Sequence, residues 1–151
     1  MQLTLFSDYS LRLLLYLTVH PERRVPLPEI SAAYGISQNH LVKVVQGLLE
    51  AQLIESVRGR GGGLRLARAP AEINIAAVVK RTEPHLNLVE CFDRKTNTCP
   101  IDPVCGLKGA LLNAQAAFFA ELERYTLADF APRAPALIKL WRRQAAETGG
   151  G

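Results

Sequence analysis

The residue types best suited to chemistry in this sequence are three cysteines confined to fifteen residues, Cys91, Cys99 and Cys105, spaced by seven and five residues. A lone cysteine is most often a small buried hydrophobe. Three of them in a stretch that also carries Asn97, Pro100, Asp102 and Pro103 fit that role poorly. An odd count leaves one thiol over from any disulfide scheme, and no CxxC pair matches the commonest structural-zinc or ferredoxin spacings. Three thiolates in one loop can instead hold a soft metal centre. A zinc or iron–sulfur site would want a fourth ligand. The nearby candidates are His85, Asp93 and Asp102, and a dimer would add residues of the partner chain. Three thiolates with one weak, replaceable ligand leave one iron accessible, which suits a sensor better than a structural brace.

A second group of residues is suited to binding a polyanion. From Ser37 to Arg68 there are five basic residues (Lys43, Arg58, Arg60, Arg65, Arg68) and two acidic ones (Glu50, Glu55), a net +3 in 32 residues, which leaves +1 for the other 119. A duplex presents one negative charge per ~1.7 Å of its axis, so a local surplus of Lys and Arg is what phosphate neutralisation needs. A solvated basic face would carry the same surplus. What raises it above that reading is its coincidence with two elements that dock on DNA.

Those elements follow from local pattern. Residues 7–20 predict a helix, with Ser7 as N-cap, Asp8 favourably placed in the first turn and Leu11, Leu14 and Leu15 at helical spacing. PEISAAYG predicts a short helix stopped by Gly35, and Ser37 then caps QNHLVKVVQGLLEAQ, whose Leu41, Val44, Val45, Leu48 and Leu49 form an apolar stripe. Two helices joined by a tight turn, the second polar at its start, match a helix-turn-helix. LIESVR and LRLAR alternate like strands around the glycine-rich tip 59–63, which predicts a hairpin. The whole is a mainly α chain with a winged helix-turn-helix. Ser37, Gln38, Asn39 and His40 can reach base edges, and Lys43 can reach bases or phosphate. In the wing, Arg58 and Arg60 can reach phosphate or the minor groove, with Gly61 and Gly62 allowing close backbone approach.

A further short helix is expected over 75–81 after Asn74, and a long one from Cys105 or Gly106 to about Leu127. On the latter Leu107, Leu111, Ala114, Phe118, Leu122 and Tyr125 recur at intervals of three and four, a seam that most simply pairs with its twin in a homodimer. The expected organisation is therefore a winged-helix domain over 1–82, a cysteine loop over 83–105, a dimerisation helix over 106–130 and a partly disordered tail over 131–151.

The chain's 151 residues, 48% apolar and 21% charged with net charge +4, suit a globular domain with an extension and exclude a disordered class. The longest apolar run, Leu13–Leu17, is far too short to span a membrane. The opening MQLTLFSDYS has neither the basic start nor the cleavage site of a secretory signal, so a cytoplasmic protein is expected. No catalytic triad, P-loop or nucleotide fingerprint is present, so an enzyme is not expected.

Taken together, MQLTLFSDYSLRLLLYL, ISQNHLVKVVQGL, SVRGRGGGLRLAR and the three-cysteine loop resemble the iron–sulfur winged-helix repressors, and within them the nitric-oxide-sensing branch, over roughly residues 1–130. The resemblance implies that Cys91, Cys99 and Cys105 ligate a [4Fe–4S] cluster, with [2Fe–2S] as an alternative form, and that Asp8 from the other protomer is the fourth ligand. The branch that regulates iron–sulfur biogenesis carries a histidine shortly after its third cysteine. Here Gly106, Leu107 and Lys108 follow, which disfavours that branch. The function so implied is a homodimeric repressor of double-stranded operator DNA whose cluster is attacked by nitric oxide, releasing genes of nitric-oxide detoxification. Two alternatives stay open: a regulator of the same family whose thiols or cluster status report other signals, and an iron–sulfur carrier that does not bind DNA.

Overall fold

The computed structural model describes residues 2–148. Helix α1 spans Leu5–Val19 and begins two residues before the expected start, because its cap is Thr4. The Thr4 hydroxyl oxygen accepts the Ser7 N–H at 3.2 Å. Ser7 is thus inside the first turn, fully buried, where its hydroxyl accepts from Thr82 at 2.8 Å. A polar residue is stable at that depth because its hydrogen bond is made inside the protein.

Helix α2 (Leu27–Tyr34) opens with Pro28 in its first turn and closes on Gly35, whose φ of 64° is the left-handed conformation that ends a helix. Helix α3 (Gln38–Glu50) is capped by Ser37 as expected and buries Leu41, Val44 and Leu48. Strands β1 (Ile54–Val57) and β2 (Gly63–Leu66) pair antiparallel from Ile54 opposite Leu66 to Val57 opposite Gly63. The hairpin does not stand alone. Val25, just before α2, exchanges both backbone hydrogen bonds with Leu64 at 2.8 Å, so the wing is pinned to the entry of the helix-turn-helix.

Helix α4 (Ile75–Thr82) is capped by the Asn74 side chain and packs on α1. Helix α5 (Gly106–Glu123) ends four residues short of the expected boundary. The chain leaves it because Tyr125 and Leu127 turn back onto the start of α4 and the chain just before it: the Ile75 N–H donates to the Tyr125 carbonyl at 3.0 Å, and the Leu127 N–H to that of Ile73 at 3.0 Å.

A 3-10 segment (Leu127–Arg133) leads into α6 (Ala134–Thr148). The sequence pattern gave this region the character of a partly disordered tail with a short Leu/Ile/Trp segment. Residues 134–148 form one helix packed against α2, and the glycine end at 149–151, where the disorder is expected, lies outside the described residues. Its anchor is Trp141, 8% exposed, whose ring centroid is 4.6 Å from that of Tyr16 and 5.4 Å from that of Tyr34. Burial pushes the Tyr16 hydroxyl up to about 12, aided by the hydrogen bond it donates to Glu29 at 2.8 Å. One continuous core runs from α1 through α2, α3 and the hairpin to Leu127 and Trp141.

Candidate DNA-reading face and metal centre

Ser37, Gln38, Asn39, His40 and Lys43 are all exposed, at the N-cap and on the part of α3 outside its buried stripe. The His40 ring lies 6.2 Å from that of Tyr9. Helix α3 is also held from behind. A Cβ on Gly47 would stand 2.6 Å from the Phe6 ring tip, so any larger residue there would make that ring shift. A glycine inside a helical pattern is the sequence signal for such a contact.

In the wing, Arg65 is opposite Glu55 and paired with it at 2.5 Å, so this cation is partly neutralised. Arg58 and Arg60 stand exposed at the tip. Gly61 has a φ of 75° and open space around it, whereas a Cβ on Gly62 would meet the Val57 carbonyl oxygen at 2.2 Å. The start of α3 and the wing tip are thus both exposed, and the hairpin is tied to the chain before α2 through the Val25–Leu64 pair.

The cysteine loop is ordered by its own polar groups. Cys91 sits in a 3-10 turn (Glu90–Phe92), and Cys105 immediately precedes α5. The Thr98 amide and hydroxyl both donate to the Glu90 carboxylate at 2.7 Å. Those bonds hold this carboxyl below the usual range and bring the chain before Cys91 beside the chain before Cys99. The Cys99 N–H donates to Asn97 at 3.0 Å, and Lys108 pairs with Asp102 at 2.6 Å. All three thiols are free and half-buried. In donor chemistry they fit a soft, iron-bearing centre. Within the single chain, and among the described residues, no three His, Cys, Asp or Glu side chains are gathered around a common point. Asp8 lies in the first turn of α1 and pairs with Arg12 at 2.8 Å.

The root of this loop carries residues that the sequence pattern did not single out. The Thr4 amide and hydroxyl donate to the Glu83 carboxylate at 2.8 and 3.0 Å. Burial pushes the Glu83 carboxyl up, but the bonds from Ser7 and Thr4 outweigh it and hold it below the usual range. The loop root, the start of α1 and the back of α3 are thus one mechanical series: Glu83 to Thr4, then Phe6 to Gly47. Helix α5 completes the picture, since none of its eighteen residues is buried. Val104, Leu107 and Leu112 leave 87%, 68% and 43% of their surface exposed.

The sequence model of Rrf2, described as an iron-dependent transcriptional regulator, matches residues 3–133. The chain belongs to the Rrf2 family. Among its relatives, an HTH-type transcriptional regulator NsrR of Halalkalibacterium halodurans is 55% identical over 130 residues, 85% of this chain and 89% of that protein. The NsrR of Bacillus subtilis is 45% identical over 141 residues, 93% of this chain and 97% of that one. The fold is also that of T. potens IscR, with a TM-score of 0.72 at 24% identity over 89% of this chain and 88% of the other. As a member of the Rrf2 family the chain is a transcriptional regulator and not an enzyme. No helix among the described residues is long and apolar enough to cross a membrane.

Proposed function

We propose that this Rrf2-family regulator is a cytoplasmic homodimeric repressor in which Cys91, Cys99 and Cys105, with Asp8 of the partner subunit, hold an iron–sulfur cluster, [4Fe–4S] in preference to [2Fe–2S], and that nitric oxide is its signal. The observation that carries the reading is the placement of three free thiols on a loop whose root is hydrogen-bonded to the helix that backs the reading helix. Likeness to NsrR proteins at 45–55% identity supports the choice of signal. The uncovered length of α5 supports the dimer, since each leucine side chain taken fully out of water contributes about 1.5–3 kcal/mol.

When bound, the cluster would supply iron to which nitric oxide can bind as a ligand. The chain's own residues do the rest. Glu90 and Thr98 shape the loop, Glu83 fastens its root to Thr4, and Phe6 presses on Gly47, so a rearranged loop bears on the pose of α3. In a dimer the two copies of α3 would lie one helical turn apart on a near-palindromic operator. A hundredfold change in operator affinity needs only about 2.7 kcal/mol of differential binding.

The test is anaerobic purification followed by iron and sulfide analysis, mass determination and nitric-oxide titration against operator binding. The parent is expected to contain iron, to be dimeric and to leave its operator on titration, while Cys99→Ser is colourless and represses poorly. A Cys99→Ser protein that binds operator as tightly as the iron-loaded parent removes the cluster as the switch. The separate placement of the three thiols within one chain favours a second reading, a metal-free regulator whose DNA binding follows thiol oxidation. It predicts tight binding by an iron-free protein, abolished by oxidant and restored by reductant.

A further inference from the structure

Helix α6 begins at Ala134, one residue beyond the end of the Rrf2 match at residue 133. Its position is informative. Ala145 lines one cleft with Pro28, at the start of α2, and with Ser37 and Gln38, at the start of α3. Arg142, three residues earlier on the same face of α6, lines a neighbouring cleft with His20, Arg23 and Glu29 of the α2 first turn. The helix carries Lys139, Arg142 and Arg143 against Glu147 alone. Arg143 is paired with Glu147 at 3.0 Å, whereas Arg142 is exposed and, among the described residues, makes no ion pair. Glu29, the acid nearest to it in that cleft, is already occupied by Arg23 and by the Tyr16 hydroxyl.

In a helix-turn-helix the first helix crosses the sugar–phosphate backbone while the second enters the groove. An element laid across α2, with its C-terminal half bordering the starts of both helices, lies beside that same backbone. Trp141, clasped between Tyr16 and Tyr34, fixes the helix there and so fixes where the neighbouring Arg142 side chain emerges. We propose that α6 is an outrigger of the DNA-reading head, and that Arg142 contacts a backbone phosphate flanking each half-site. The proposal rests on the operator-binding function set out above.

The test compares the parent with Arg142→Ala on a long duplex that the parent itself selects from random sequence, and on the same site trimmed to its two half-sites. One lost phosphate contact makes the log–log salt slope shallower by about 0.9 per reading head, so the parent should lose about 3.5-fold more affinity than the variant, per head, between 50 and 200 mM salt. On the trimmed duplex the difference should vanish. Arg142→Lys should restore the slope, and Arg143→Ala should leave it unchanged. Equal slopes for parent and Arg142→Ala on the long duplex overturn the proposal. Arg60→Ala, measured alongside, keeps the two levels apart: a loss there with none at Arg142 rejects the outrigger and leaves the reading head standing. A parent that binds no duplex rejects both.

Discussion

The sharpest expectation concerns Gly62→Ala. The added methyl would stand 2.2 Å from the Val57 carbonyl oxygen and 2.8 Å from that of Gly59, both backbone atoms that cannot swing aside. The tip must open, and the bond from the Gly62 N–H to the Gly59 carbonyl at 2.9 Å is lost. The damage stays local, because the ladder from Ile54–Leu66 to Ser56–Leu64 and the Val25–Leu64 bridge lie outside it. One net hydrogen bond is worth about 1 kcal/mol, and that lowers Tm by about 2–4 °C in a chain of this size. Operator binding suffers more, since the tip carries Arg58 and Arg60. Two lost phosphate contacts per reading head flatten the salt slope by about 1.8, so roughly 12-fold of the affinity that the parent loses between 50 and 200 mM salt is no longer salt-dependent. Fluorescence anisotropy on a labelled duplex across that range, beside a thermal melt, reads both quantities. Unchanged affinity and slope would show that the wing tip does not touch DNA, and a Tm drop beyond about 10 °C would show that the tip is not energetically separate from the core.

Two further outcomes follow from the α6 anchor. Trp141→Ala should cost about 3–5 kcal/mol, as large-to-small changes at buried aromatics do, measured by denaturant titration; a cost below about 1 kcal/mol would mean that the aromatic cluster does not hold the helix. Tyr16 loses its proton near pH 10 when unfolded but at about 12 when folded, so its contribution is complete below pH 10 and fades as the pH climbs towards 12. Tyr16→Phe should flatten that alkaline decline in stability, and an unchanged decline would reject the assignment.

The reading head was legible because its signals are local. Gly35 stops α2, Ser37 caps α3 and the glycines at 59–63 make the hairpin tip, and each acts on chain within a few residues of itself. The cap of α1 is Thr4 and not Ser7 for a physical reason. Thr4 and Ser7 both have capping hydroxyls, and the choice between them depends on Glu83 and Thr82, more than seventy residues away, which bond to Thr4 and Ser7 respectively. Periodicity likewise extends α5 past Glu123, because nothing nearby in sequence says that Tyr125 and Leu127 hydrogen-bond back to Ile75 and Ile73. Charge counting sees that Glu55 offsets one cation, and only the strand register says that this cation is Arg65.

Composition and spacing by themselves determined the class of this protein: a mainly helical winged DNA-reading domain, followed by a three-thiol loop and a long helix with an apolar seam. Tertiary packing decided how those parts are coupled. It fastened the loop root to α1, seated Phe6 against Gly47, and folded a tail of unremarkable composition into a helix across α2. The division has one cause. Caps, turns and periodicity are energies between neighbours along the chain, and a sequence displays its neighbours directly. The destination of Trp141 and the partner of Glu83 depend on which surfaces meet once the chain has collapsed, and only the folded molecule settles that.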